Sequence, residues 1–120
     1  MAAHNELGKK GEAIACYFLQ KKGYELLETN WTVGKAEVDI IVQKRGIIIF
    51  VEVKTRQNNV FGYPEESVTA KKEALMMEAA VFYTRDIEHE GEIRFDIIAI
   101  TIEPDMEIRH FRDAFFPTWE

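Results

Sequence analysis

Apolar and small residues recur at helical spacing in two stretches of the chain. The first stretch predicts a helix over residues 5–22, with Asn5 as its N-cap and Gly23 as its stop. The second predicts an amphipathic helix over residues 67–85. Candidate N-caps of this second helix are Ser67 and Thr69.

Stretches rich in β-branched residues, with polar residues at a period of two, predict five strands. They cover residues 24–32, 36–43, 47–53, 93–102 and 106–111. The turn at 44–46 predicts an antiparallel hairpin, whose second strand is apolar on both faces and should be central. Residues 55–66 lack periodicity and are predicted to form an exposed loop. The predicted fold is α/β, a mixed sheet flanked by helices in the order α-β-β-β-α-β-β.

Composition narrows this to one domain, residues 1–120, because 120 residues with 47% hydrophobic content suit a single core. The lone Cys16 lies in a helical apolar pattern and is interpreted as a buried thiol. No stretch has the length and apolarity of a signal peptide or a membrane span. A cytoplasmic protein that does not use the membrane is therefore expected.

The formal net charge of −6 argues at first against a nucleic-acid partner. That charge is uneven: residues 1–60 hold 9 basic and 7 acidic side chains, whereas residues 61–120 hold 6 and 14. A carboxylate metal site also subtracts charge until its cation binds. The net charge therefore does not exclude a phosphate ligand.

Several ionisable residues interrupt strands that otherwise have the composition of a core. On the first hairpin strand a period of two places Glu37 and Asp39 on one face, with Val38 and Ile40 on the other. On the second strand the same period puts Glu52 and Lys54 together. Pairing through the turn at 44–46 brings Asp39 beside Glu52. Since burying unpaired charge is costly, a functional cluster is predicted here.

Carboxylates on adjacent strands are suitable ligands for Mg²⁺ or Mn²⁺, which prefer oxygen ligands. Such an ion can polarise a phosphoryl oxygen and lower the pKa of a bound water. A nearby lysine can orient that water or stabilise charge developing on the phosphate. Asp39 with Glu52-Val53-Lys54 on the next strand supplies these parts.

This arrangement resembles the signature of the PD-(D/E)XK nucleases, with Val38 in place of the proline. The whole chain also resembles the UPF0102 (YraN-like) family of small bacterial proteins, although Ala36 replaces the usual glycine. The matching segments are residues 7–13, 23–24, 30–31, 37–41, 50–56, 61–62, 68–69 with Lys72, 94–96 and 114–115. The resemblance implies a restriction-endonuclease-like core and a nuclease related to Holliday-junction resolvases.

Carried onto this chain, the resemblance implies Asp39 and Glu52 as metal ligands and Lys54 as the catalytic lysine. It adds Glu12 from the first helix as a third ligand and Glu37 as a supporting acid. Further phosphate contacts are expected from basic residues mainly of the first half. These are Lys9, Lys10, Lys35, Arg56 and Lys72.

Each of these residues also has a simpler interpretation. Glu52 and Lys54 could be a cross-face ion pair, and Glu37 could merely extend a polar face. Asp96 is interpreted as a structural partner of Arg94. The three histidines lack metal-ligand spacing. Six phenylalanines, at 50, 61, 82, 95, 111 and 115, are assigned to the core, whereas Trp31 and Tyr63 are expected to be exposed.

Two function classes remain open at this point. The first is an Mg²⁺- or Mn²⁺-dependent endonuclease acting on DNA, including branches or flaps, and a homodimer is expected if it cuts both strands. The second is a nucleic-acid-binding or partner-binding module that keeps the fold without turnover. A carboxylate-pair glycosidase fits poorly, because Lys54 has no role there and no aromatic-lined cleft is evident.

Overall fold

The computed structural model describes residues 2–115, with side chains from residue 6 onward. Its elements follow the predicted order. The bounds are α1 Ala2–Lys21, β1 Glu25–Val33, β2 Ala36–Lys44, β3 Ile47–Arg56, a short 3₁₀ turn Pro64–Ser67, α2 Ala70–Asp86, β4 Ile93–Thr101 and β5 Glu107–Phe111.

Three predicted boundaries are wrong by three residues, and the others agree with the structure to within one residue. Asn5 lies inside α1 and is not its cap, since the helix begins at Ala2. β3 continues to Arg56 because it stays paired with β4, so the predicted loop starts later and contains the 3₁₀ turn. α2 begins at Ala70 rather than at residue 67. Of its two candidate caps Thr69 is confirmed, since its hydroxyl accepts a hydrogen bond from the Lys72 N–H at 3.2 Å. Gly23, with φ of +90°, lies beyond the end of α1 as predicted.

The five strands form one mixed sheet in the order β1-β2-β3-β4-β5. β2 and β3 form the predicted antiparallel hairpin, and its turn residues Arg45 and Gly46 both have positive φ. β3 and β4 run parallel, with α2 in the connection between them. β3 is therefore the central strand, as its two apolar faces predict.

Two hydrophobic clusters cover the opposite faces of this sheet. Ala15 and Leu19 of α1 pack with residues of β2, β3 and β4 in one cluster. Met76, Ala79 and Tyr83 of α2 pack with the other faces of those strands. The sheet is thus enclosed between its two helices, and charged residues on the central strands lie in a largely dry setting.

Side chains along β2 stop alternating regularly between the two faces of the sheet at Asp39. Val38 packs in the α2 cluster, whereas Ile40 packs in the α1 cluster, so the two do not share a face as a strict period of two predicts. Opposite the break, between the pairs 29–40 and 31–38, Asn30 has a left-handed φ of 49°. Asp39 therefore lies at an irregular position of β2, opposite the left-handed Asn30.

Asp96 holds β4 and β5 together. Its side chain is fully buried and receives two hydrogen bonds of 2.8 Å from Arg94, confirming the predicted ion pair. His110 Nε2 lies 2.7 Å from Asp96, and the Asp113 N–H donates to it at 3.0 Å. Burial raises the pKa of Asp96, but the bonds from His110, Arg94 and Asp113 outweigh that effect and lower it.

The aromatic assignments are confirmed in part. Trp31 is half-buried against Tyr83, with ring centroids 5.1 Å apart, so its predicted exposure is wrong, whereas Tyr63 is exposed. Half of the phenylalanines assigned to the core are exposed instead, because they occupy the loop, the outer face of α2 and an edge strand. The buried three are Phe50, Phe95 and Phe115, and the exposed three are Phe61, Phe82 and Phe111.

Cys16 is half-buried, less than expected for a core thiol. Burial and the nearby Glu12 raise its pKa, so the reactive thiolate is disfavoured. No helix in the described part of the chain is long and apolar enough to cross a membrane.

Candidate functional site

The candidate site lies where β2 and β3 separate. The backbone ladder between the two strands reaches the pair Ile40–Val51 and goes no further. One residue beyond this pair, a side chain replaces the backbone as acceptor: Asp39 Oδ2 accepts a hydrogen bond from the Val53 N–H at 2.8 Å. This bond fixes Asp39 at the fork between the strands, with Glu52 opposite it.

Glu52 is the only buried glutamate of the described side chains, with 2% of its surface exposed. Its Oε2 lies 3.8 Å from Lys54 Nζ and 3.7 Å from Lys72 Nζ. Its Oε1 is buried, and no N–H or O–H group described here donates to it. A buried carboxylate oxygen without a donor is costly, so the fold maintains Glu52 at the expense of stability.

The Asp39 carboxyl lies near enough to that of Glu52 to affect its titration. Desolvation and the neighbouring Asp39 raise the pKa of Glu52 to about 8, and the two lysines offset this only in part. A cation between the two carboxyl groups would offset their mutual repulsion.

Glu12 approaches the same fork from α1. Burial, then the nearby carboxyl groups of Asp39 and Glu37, raise the pKa of Glu12. α1 comes this close because Gly11 packs directly on β3, where a Cβ would lie 1.8 Å from Thr55 Oγ1. The acids thus form a chain, Glu12 to Asp39 to Glu52, with Asp39 in the middle.

The acids open into a shallow hollow of about 300 Å³. It exposes carboxyl groups and one lysine side by side. Its lining residues are Gly8, Lys9, Glu12, Asn30, Glu37, Asp39 and Val53. Among residues 6–115, no group of three or more acids, histidines or cysteines is arranged to hold a metal ion, so Glu12 does not complete the predicted three-ligand set with Asp39 and Glu52. Substrate or water oxygens would therefore complete the coordination of any ion held here, as is usual for Mg²⁺.

A second hollow of about 530 Å³ adjoins the site at Lys54. It includes two cations and no acid. The lining residues are Leu7, Lys54, Thr55, Arg56, Gln57, Asn58, Phe61, Pro64 and Ser67. Arg56 Nε is buried there, and no acceptor within the described residues bonds to it.

The predicted basic residues divide into two groups. Lys9, Arg56 and Lys72 lie at the hollows or the carboxylates, and Lys72 Nζ also donates to the Glu37 carbonyl at 3.1 Å. Lys71 next to it is exposed. The remaining two are surface residues that no described contact joins to the acids. These are Lys10 and Lys35.

Sequence reasoning missed two contributors to the site's shape. Asn30 lines the hollow in a left-handed conformation that asparagine tolerates well. Nothing in the sequence around Asn30 indicated this conformation. The close approach of Gly11 to Thr55 is also new, although a glycine within a helical pattern is a signal for such contacts. Outside the site, sequence reasoning also missed His110, which bonds to Asp96.

The family model described as "Uncharacterised protein family UPF0102" matches residues 11–100, a range that contains Glu12, Asp39, Glu52, Lys54 and Lys72. The chain belongs to the UPF0102 family. A UPF0102 protein of Flavobacterium psychrophilum is 51% identical to it, over 97% of this chain and 98% of its own. Family members from Flavobacterium johnsoniae and Thermodesulfovibrio yellowstonii are 45% and 40% identical, over 97% and 95% of this chain and 98% and 99% of theirs.

Proposed function

We propose that this UPF0102 protein is a divalent-metal-dependent endonuclease that hydrolyses phosphodiester bonds in DNA, including branched or structured DNA. The observation that carries the proposal is the buried Glu52 Oε1, which has no donor and lies beside a second carboxyl at a strand fork. A structural role does not explain such an atom, since it lowers stability. A cation would satisfy it.

The residues present suit a hard cation such as Mg²⁺ or Mn²⁺. Asp39 and Glu52 would hold it, with Glu12 positioned behind Asp39 as a further acid. When bound, such an ion polarises the phosphate and lowers the pKa of water. Few protein ligands are needed, because Mg²⁺ retains waters and substrate oxygens in its shell.

Lys54 is the proposed catalytic lysine. Its ammonium lies on the same face as Glu52, close enough to contact a phosphate held at the acids. There it would orient the attacking water or donate to the phosphate oxygens as charge develops on them. The water oxygen bonds to phosphorus, the ester P–O bond breaks, and one proton of the water passes to the leaving oxygen.

The cations around the acids suit a polyanionic substrate. Lys9 and Lys72 border the carboxylates, and Arg56 lies one hollow further along β3. This supports phosphates on both sides of the reacting bond, as an endonuclease requires. The mixed sheet with the acids at the β2–β3 fork also agrees with a restriction-endonuclease-like core.

A cleavage panel tests this proposal. Linear, branched and single-stranded DNAs are incubated with Mn²⁺ and either the wild type, Asp39→Ala or Lys71→Ala, an exposed residue outside the site. We expect the wild type and Lys71→Ala to cut at least one DNA and Asp39→Ala to cut none. Binding of DNA by the wild type without any cleavage would favour the alternative, a nucleic-acid-binding module.

A further inference from the structure

The loop after β3 exposes two apolar side chains, Val60 and Phe61, to solvent. Phe61 is 88% exposed and Val60 is 73% exposed, the two largest values among the apolar side chains of the described residues. Leaving such side chains in water forgoes the stabilisation that burial of a large aromatic provides. Scattered exposed apolar residues are ordinary, so their setting decides whether they have a use.

That setting is a firmly anchored loop. Gln57 O accepts the N–H of Glu103 at 2.7 Å, and Asn58 Oδ1 accepts that of Val60 at 3.1 Å. Asn59 Oδ1 accepts from the buried Thr101 hydroxyl at 3.0 Å. Because its polar groups are tied to β4 and to the residues after it, the loop presents Phe61 in a defined position.

The far end of the loop is anchored as well. Glu65 accepts two hydrogen bonds of 2.6 Å from Arg109 of β5, and the same guanidinium lies 4.4 Å from the Tyr63 ring centroid. Gly62, next to Phe61, has a φ of +108°, which other residues adopt only with strain. Both ends of the segment that carries Phe61 are therefore fixed to the sheet.

Phe61 forms one wall of the 530 Å³ hollow that Lys54 also lines. The hollow combines an aromatic ring, amide side chains of Gln57 and Asn58, and the Arg56 guanidinium with its unbonded Nε. Bases stack on aromatic rings, amides and guanidinium groups bond to base edges, and the cations bind phosphates. A protein partner with an apolar surface would not need this polar and cationic lining.

We propose that this hollow binds an unpaired nucleobase, stacked on Phe61, of the strand whose phosphate lies at Lys54. The inference rests on the proposed function and names its substrate class: DNA with a single-stranded nucleotide beside the cleaved bond, as at a flap or branch. A base inside a duplex is covered on both faces by its neighbours, so only an unpaired base can use this wall.

The test compares binding of a single-stranded oligonucleotide, a flapped duplex and a blunt duplex in Ca²⁺, which takes similar oxygen ligands. Phe61→Ala should weaken binding of the first two by about 5- to 150-fold, the range that a stacked base contributes, and leave the blunt duplex unchanged. Phe61→Trp, which keeps an aromatic ring, should bind the first two DNAs about as tightly as the wild type. Phe82→Ala is the matched control, an exposed phenylalanine on α2.

Two outcomes overturn the inference. If the wild type cleaves DNA but Phe61→Ala binds all three like Phe82→Ala, the stacking role is wrong, the proposed function stands, and a protein partner for Phe61 becomes the better account. If the wild type binds none of the three and cleaves nothing, the proposed function falls with it. Thermal unfolding of each variant checks that the loop change leaves the fold intact.

Discussion

At the scale of single residues, Glu52 lowers the stability of the fold while serving the proposed function. Its carboxyl lies on the central strand among apolar side chains, where a branched apolar residue would pack better. Two lysines within 3.8 Å do not offset its desolvation, since its pKa is still raised. The metal-free protein should therefore be less stable because of this residue.

Glu52→Gln should stabilise the metal-free protein at neutral and alkaline pH. The folded-state pKa of Glu52, about 8, exceeds its ordinary value of 4.5, so the folded state binds the extra proton between those values. The free energy of unfolding of the wild type should thus fall as pH rises from about 4.5 to 8 and level off above. The variant lacks this fall, and we expect a gain of roughly 1–3 kcal/mol at pH 8.

Urea unfolding with chelator present, at intervals from about pH 5 to 9, measures this difference between wild type and variant. Glu78→Gln, which removes an exposed glutamate of α2, serves as the control. Identical pH profiles for wild type and Glu52→Gln would show that Glu52 is ionised without cost.

The residues of the candidate site were predictable from sequence. Their arrangement in space was predictable only in part. Charged residues in apolar strands identify Asp39, Glu52 and Lys54, because burial of charge needs a reason. The fork was not predictable: the side-chain period assumes a regular pleat, and the left-handed Asn30 breaks it. Contacts across elements, such as Lys72 with Glu52, depend on the packing of α2.

At the scale of elements, the contact between α1 and β3 positions Glu12. Gly11 lets the helix backbone approach Thr55, and Glu12 follows directly in the chain. The element order was predictable because periods of two and 3.6 differ strongly, whereas element ends depend on pairing. β3 extends to Arg56 only because β4 is there to pair with it.

Gly11→Ala should destabilise the protein, although alanine favours helices. The added Cβ would lie 1.8 Å from Thr55 Oγ1, so α1 must shift, at a cost of about 1–3 kcal/mol. Gly8→Ala is the matched control on the same helix, where a Cβ meets no described atom within 4 Å. It should stabilise by roughly 0.5–1 kcal/mol. Equal effects on the free energy of unfolding would contradict the close approach.

At the scale of the whole molecule, charge is segregated in the sequence and around the site. The acidic second half still supplies Lys72, which reaches the carboxylates from α2 while Lys71 faces solvent. Phosphate binding should therefore depend on a few cations near the site rather than on net charge.

Affinity for DNA in Ca²⁺ should fall steeply with salt, by about 0.9 in log–log slope for each phosphate neutralised. Lys72→Ala should lower that slope by about one, as expected for loss of one phosphate contact, and Lys71→Ala should leave it unchanged. Fluorescence anisotropy across a salt series measures both. Salt-independent binding, or equal slopes for the two variants, would place the nucleic-acid surface elsewhere.

Titration of Mn²⁺ into the wild type, Asp39→Ala and Lys54→Ala by calorimetry, with a cleavage assay on the same samples, tests the central claim most directly. Asp39→Ala should lose both Mn²⁺ binding and cleavage, because it removes a proposed ligand at the strand fork. Lys54→Ala should still bind Mn²⁺ but cleave roughly 10²–10³-fold more slowly, as expected for loss of one electrostatic stabiliser. Unchanged Mn²⁺ binding by Asp39→Ala, or full cleavage by Lys54→Ala, would contradict the assigned roles.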